Sequence, residues 1–322
     1  MKTEAYACYL LSAEDRARSS SGGAFFAVAK KILENNGVVY GACYSEQLEV
    51  IHKRIDSIDS LKQAQGSKYA ESILNNTFQN VVNDLLKGHT VLFSGTPCQC
   101  AGLLSFIRVR KIQKDRLFVV DCVCHGVPSP KAWKAYLAAM ENKGLKLKHV
   151  NMRDKSSGWT NGNYSWYEVT CEGKEIYTPR RQSPYMIGML RNYYTRPSCY
   201  ECRFKGVERS TDMTLGDYWG VENYQPDMDD NKGTSLVFIH TEKGRELFDS
   251  IKQDMKWACA DIVSAVKGNP CITESTNRNP RENEFYQKLR AGQDFMSVIN
   301  SMSKETTAHK ILRKVRSIIK RR

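Results

Sequence analysis

Hydrophobic residues return along this chain in two rhythms. In the first, apolar positions fall three and four apart. Ala24, Phe25, Phe26, Val28, Ile32 and Leu33 share one helical face closed by Gly37, which predicts a helix opened by the Arg18-Ser-Ser-Ser-Gly-Gly23 turn with a serine cap. Phe78, Val81, Val82, Leu85 and Leu86 predict another helix ended by Gly88, residues 101–107 a third, and 59–65 a short one. In the second rhythm, short apolar runs between turn residues predict strands over 38–43, 48–52, 90–94 and 117–120. Ser129 caps and Pro130 starts a further helix carrying Trp133, Tyr136, Leu137 and Met140 to its stop at Gly144. Strand, turn and helix alternate here as in an α/β layer.

From His149 onward the chain is richer in strands. Residues 164–169 and 174–177 predict a hairpin around Glu172-Gly173, and 235–240 a strand followed by a helix capped at Thr241. The expected fold is mixed α/β, an N-terminal α/β part closely joined to a larger, strand-richer C-terminal part. The expected divisions are 14–92, 93–260 with the cysteine cluster, and a helical, basic extension over 261–322. With 322 residues the chain can bury a sizeable core.

The net charge of +13 implies an acidic partner: nucleic acid, an anionic membrane, a phosphate-bearing cofactor or an acidic protein. Basic residues are scattered except in the tail, and no nucleic-acid motif occurs, so nucleic acid is not expected. From Lys304 to Arg322 there are eight Lys or Arg and one Glu, with Ile311, Leu312, Val315, Ile318 and Ile319 on one helical face. Such a tail offers peripheral membrane contact, or is a solvated terminal helix. No run reaches the roughly 20 apolar residues of a membrane span. GxGxxG, P-loop and HExxH sequences are also lacking.

Eleven cysteines without the layout of a secretory signal over Met1 to Leu11 point to the cytoplasm, where cysteine clusters are more often metal-binding or catalytic than disulfide-bonded. Arg196-Pro-Ser-Cys199-Tyr-Glu-Cys202-Arg-Phe-Lys205-Gly206 sets two thiols in a tight basic turn, and Arg203 and Lys205 favour thiolates. The complementary ligands are expected from Pro97-Cys98-Gln-Cys100 and Cys122-Val-Cys124-His125, each after a strand-like run. Four thiolates from three segments suit zinc or an iron-sulfur cluster, and spacing leaves both open. The serine-glycine turn is an ordinary N-cap or an anion site. Gly66-Ser-Lys68-Tyr69 is a solvated loop or a contact for a phosphate or a flavin.

Taken in order, Ser20-Ser-Gly-Gly23, Gly37-Val-Val-Tyr-Gly41, Gly66-Ser-Lys-Tyr69, Phe93-Ser-Gly-Thr-Pro-Cys98-Gln99, Val123-Cys-His-Gly-Val-Pro-Ser129, Arg153-Asp-Lys155, Pro197-Ser-Cys-Tyr-Glu-Cys202, Phe204-Lys-Gly206 and Gly216-Asp-Tyr-Trp-Gly220 resemble the beta-subunit family of coenzyme F-420 hydrogenases and dehydrogenases. The resemblance runs from about Ser19 to Ile251. It implies an oxidoreductase that binds FAD and a [4Fe-4S] cluster. The implied cluster ligands are Cys98, Cys124, Cys199 and Cys202, with Cys100 and Cys122 as buried small residues. The implied FAD contacts are Ser20, Ser21, Gly22, Gly23, Lys68, Tyr69, Thr96 and Pro97. His125, Asp154 and Lys155 are the candidate catalytic residues, each able to move a proton or only to hydrogen-bond.

Many members of that family carry a ferredoxin-like module first, whereas here only Cys8 precedes the Ser19 turn. Electrons are therefore expected from a separate carrier, an acidic ferredoxin or a reduced deazaflavin coenzyme. Bacterial members resemble companions of surface-polysaccharide synthesis, which makes an intermediate of that chemistry a conceivable small-molecule substrate. The competing expectation is a non-catalytic, zinc-stabilised protein with a basic membrane- or nucleic-acid-binding surface.

Overall fold

The computed structural model describes residues 2–304. The basic tail beyond Lys304 lies outside the described residues. The strands are β1 (Glu4–Leu10), β2 (Val38–Tyr44), β3 (Val50–Ile55), β4 (Val91–Gly95), β5 (Leu117–Cys122), β6 (Leu147–Asp154), β7 (Ser165–Thr170), β8 (Glu175–Pro179), β9 (Met213–Asp217), β10 (Ser235–Ile239) and β11 (Met255–Cys259). Eight of them form one sheet in the order β11-β1-β10-β9-β5-β4-β2-β3, and β6-β7-β8 form a second. At the centre of the large sheet, β2, β4, β5 and β9 run parallel, while β3 and β10, β1 and β11 continue it antiparallel. Positions 92 and 93, where the sequence divided the chain, lie inside β4.

The pleat explains how both faces are covered. Leu92 and Val120 join Phe26, Val28, Ile32, Leu247 and Phe248 on one face, under the helices Ala24–Glu34 and Glu242–Asp249. Val91, Phe93, Leu117 and Val119 meet Val81, Val82, Leu103 and Ile107 on the other, under Thr77–Leu86 and Pro97–Val109. The small sheet has a core of its own, in which Trp133, Tyr136, Trp166, Tyr185, Tyr194, Phe285 and Phe295 pack ring against ring. Tyr136 donates its hydroxyl to buried Glu168 at 2.6 Å, so that carboxylate is partnered.

The hairpin and the Ser129 and Thr241 caps stand where the sequence placed them. Two expectations need correction. The helix expected over 101–107 begins at Pro97, with Thr96 and Gln99 forming a capping box, so Cys98 sits in the first helical turn. The helix from Ala24 has no serine cap. Its N-cap is Gly23 at φ 92°, and the serines are engaged elsewhere: Ser19 Oγ donates to Asp15 O, Ser21 Oγ to Thr234 O, and Ser20 Oγ accepts from Ser67 N–H.

This turn is pressed onto the large sheet. Leu10 N–H donates to Gly22 O at 2.8 Å, and a Cβ on Gly22 would collide with Cys8 O and lie 2.7 Å from Ser235 N. Only glycine permits that approach of backbone to backbone. Gly22→Ala is expected to cost about 2 kcal/mol or more of stability, by the overpacking penalty. Urea unfolding with an unchanged midpoint would show that the turn is free to move away.

Candidate functional site

The carboxyl ends of the four parallel strands open into a single cavity of about 360 Å³. Gly41 and Ala42 of β2, Ser94 and Gly95 of β4, Asp121 and Cys122 of β5, and Leu215 to Asp217 of β9 all line it. Strand ends in an α/β sheet carry loops rather than covering helices, so ligands gather there, and this volume is in the range of small-molecule sites. The turn over 19–23, the 64–72 segment and the 123–128 loop complete the wall.

Behind the lining formed by the 19–23 turn stand two cations, Arg16 and Lys155, and Arg153 is on the cavity wall itself. Buried Arg16 donates Nη1 and Nη2 to Asp230 and Nε and Nη2 to Gly233 O. Lys155 Nζ donates to Arg16 O at 2.7 Å, Ser21 O at 2.6 Å and Lys232 O at 2.8 Å, tying three segments together. Burial, with Arg16 and Arg153 nearby, lowers Lys155 to about 7, whereas its three carbonyl acceptors need it protonated. Lys68 is held in the same manner, by Ala64 O at 3.4 Å and by Gln65 O and Gly66 O at 3.0 Å, and burial lowers it to about 8.

Arg153 differs from both. It is 3% exposed, Nη1 donates to Asp217 Oδ2 at 2.5 Å, and its guanidinium lies 4.6 Å from the Tyr164 ring centre and 5.3 Å from that of Trp219. Burial opposes its charge, but Asp217, Tyr69 and Tyr164 outweigh this and raise its pKa. Nε and Nη2 have no partner, and neither has Gln65 Oε1 on the same cavity wall. Buried donors and acceptors left open beside a cavity are what a bound polar ligand would satisfy.

His52, also on the lining and 9% exposed, stacks on Phe93 and sits between Ser72 Oγ at 2.6 Å and Ser94 O at 2.9 Å. A carbonyl only accepts, so Nε2 carries the proton, Nδ1 accepts, and the Ser72 hydroxyl must donate to it. Ser72 therefore shows only lone pairs to the cavity.

Cys98 and Cys124 line the cavity, and Cys199 stands beside them, accepting Val127 N–H at 3.4 Å. Burial pushes the Cys124 thiol well up, and Cys122, Cys199 and Cys98 push it further against the pull of Lys205. Cys199 is raised by burial and by Cys98 and Cys202. The expected ligands are thus electrostatic neighbours whose thiolates would repel one another. Among the described residues, no group of three or more His, Cys, Asp or Glu side chains is arranged to hold a metal ion. Lys205 donates to Cys124 O at 2.6 Å and Cys271 O at 2.7 Å, which fixes the loop.

Of the residues expected to touch a flavin, Ser20, Ser21, Gly23, Lys68, Tyr69 and Thr96 line the cavity, whereas Gly22 and Pro97 lie behind its wall. His125 lines it, with Nε2 2.9 Å from Asn192 Oδ1 and 3.2 Å from Thr276 Oγ1. Asp154 instead accepts from Ser156 N–H and Oγ, and Lys155 lies in the loop joint described above. Cys100 is buried, but Cys122, expected as a buried filler, lines the cavity. Arg153, Asp217, Gln65, His52 and Ser72 were not singled out by sequence. Arg153 and Asp217 stood in matched motifs, but no spacing marks a residue whose partner lies on another sheet.

The family model described as the C terminus of the coenzyme F420 hydrogenase/dehydrogenase beta subunit matches residues 88–265. Among solved structures, a chain of the xenon-derivatised F420-reducing [NiFe] hydrogenase complex from Methanosarcina barkeri matches 86% of this chain and 96% of its own, at 16% identity and a TM-score of 0.55. That likeness is one of fold. Among the described residues, no helix is long and apolar enough to cross a membrane.

Burial lowers His52 from the ordinary 6.5 to about 4, and His240 likewise. The folded state therefore binds fewer protons, and the stability present above pH 6.5 is lost as pH falls towards 4. His52→Gln is expected to remove up to about 3 kcal/mol of that acid loss while leaving the share of His240. Urea titrations at several pH values with an unchanged acid slope would contradict this.

Proposed function

This chain belongs to the coenzyme F420 hydrogenase/dehydrogenase beta-subunit family, and on that premise we propose that it is an oxidoreductase that relays electrons through FAD and a [4Fe-4S] cluster. The observation carrying this reading is that one cavity is lined both by six of the eight expected flavin contacts and by Cys98 and Cys124, with Cys199 and Cys202 adjoining. A bound flavin supplies two-electron chemistry with hydride exchange, and a cluster supplies single-electron transfer.

In this reading the residues have separate tasks. Cys98, Cys124, Cys199 and Cys202 hold the cluster. The turn over 19–23, Lys68, Tyr69 and Thr96 cradle the cofactor, with Gly22 and Pro97 setting the backbone beneath. Asp154 and Lys155 fix the loops behind that turn. His125 handles a proton or only hydrogen-bonds, its ring held by Nε2–H donating to Asn192 Oδ1 with Thr276 Oγ1 beside it.

The electron partner in this reading is an acidic, ferredoxin-like carrier or a reduced deazaflavin coenzyme. Exposed Cys98, Arg196, Arg203 and Phe204 lie in or beside the cysteine segments, and the chain carries +13 overall, which suits an acidic protein. Added salt is expected to weaken a complex with an acidic ferredoxin, measured by its apparent Kd; salt-independent binding would exclude electrostatic docking.

Anaerobically purified protein is expected to contain about four irons and one FAD per chain, as a four-cysteine cluster implies. Zinc without flavin would sink the reading. Cys199→Ser or Cys202→Ser should abolish the iron signal and Cys122→Ser should keep it; equal iron loss from Cys122→Ser would mean that β5 supplies a different ligand.

A further inference from the structure

Arg16 and Lys155 stand behind the 19–23 end of the cavity lining and Arg153 on it, and of the three only Arg153 has nitrogens with no partner at all. Each guanidinium nitrogen of Arg16 has a partner in Asp230 or Gly233 O, and the Lys155 ammonium has three carbonyls. Arg153 has one partner, Asp217, and leaves Nε and Nη2 open although it is buried. Its placement follows from a break in β6. Asn151 pairs with Tyr167 and Asp154 with Ser165, so two residues of β6 stand opposite one of β7. A bulge of this kind re-aims a side chain, and Arg153 is in it, its N–H held by Asn151 Oδ1 at 3.0 Å. The guanidinium leaves the small sheet, passes the rings of Tyr164 and Trp219, and meets Asp217 at the end of β9 on the cavity wall.

We propose that Arg153 receives the N1–C2=O edge of a flavin isoalloxazine through Nε and Nη2 and thereby favours the reduced, anionic cofactor. The inference rests on the reading of the cavity as a flavin site. An isoalloxazine that takes up two electrons from a donor and one proton at N5 is left with its negative charge spread over N1 and C2=O. A planar edge with two acceptor atoms matches the fork of a guanidinium. The dry aromatic setting suits a flat ring edge better than a tetrahedral, hydrated diphosphate. Asp217 tempers the charge, so that Arg153 binds the neutral oxidised ring without trapping the reduced one.

The test is an anaerobic potentiometric titration of FAD bound to the full chain, with dithionite as reductant, alongside fluorescence titration of oxidised FAD onto flavin-depleted protein. Arg153→Met combined with Asp217→Asn leaves no unpaired buried charge, and should bind oxidised FAD within a few-fold of wild type. Its preference for reduced FAD should fall by roughly tenfold or more, the scale of a charge-assisted hydrogen bond, which is about 30 mV per tenfold for a two-electron couple. Asp217→Asn alone unmasks the cation and should move the potential the opposite way. A merely structural ion pair gives no such reversal of sign.

Should the double variant fail to fold, Asp217→Asn and Arg153→Lys still decide the matter, because unmoved potentials in both overturn the proposal. A large loss of affinity with unchanged potential would assign Arg153 to the diphosphate and overturn it too. So would unchanged flavin affinity and potential, the result expected if the guanidinium serves an incoming carboxylate. Wild-type protein that binds no FAD at all would instead remove the flavin reading itself.

Discussion

The ammonium of Lys155 is the joint on which the site depends. It leaves the small sheet just after β6 and gives its three protons to Arg16 O in the short helix Ala13–Arg18, the serine-glycine turn and the loop before β10. A buried charge left without partners costs several kcal/mol, so these acceptors must stay together for the ammonium to remain. The second sheet is therefore locked to the large one at the wall of the cavity. Arg16 reinforces the same corner by clamping Asp230 and Gly233 O. The turn over 19–23 can approach β1 and β10 so closely only because Gly22 presents no side chain.

That corner defines one pole of the cavity, and the cysteines define the other. Between them lie the ends of β2, β4, β5 and β9, whose parallel direction sends every following loop to the same side. The poles differ in kind. At the cationic pole nearly all donors are satisfied internally, and Arg153 is the exception. At the thiol pole burial, with the neighbouring cysteines, raises Cys124 and Cys199 and so favours the thiol form.

The His52 wall adds a third influence. Because His52 is buried neutral and committed to Ser94 O, Ser72 is left as an acceptor of ligand protons. The cavity thus offers both donors and an acceptor, in fixed orientations. Preorganised polar groups of this sort orient a ligand without rearrangement on binding.

Periodicity, caps and glycine stops determined much of this protein from sequence alone. The helices over 24–34, 77–86 and 130–141, the hairpin of β7 and β8, and the strands β2, β4, β5 and β10 followed from local rules that do not need the rest of the chain. The ordered run of motifs determined the family. Tertiary structure decided the remainder, because it depends on residues far apart in sequence. β1 is buried on both faces between β10 and β11, so Tyr6, Ala7 and Cys8 show no amphipathic alternation. The serine turn read as a cap, but its hydroxyls were claimed by Thr234, Asp15 and Ser67. Lys155 read as a candidate for chemistry, and only the fold revealed its three carbonyls. Arg153 became distinctive only when a bulge in one sheet aimed it at a carboxylate in the other, since an unpaired donor is defined by what surrounds it and not by its neighbours in sequence.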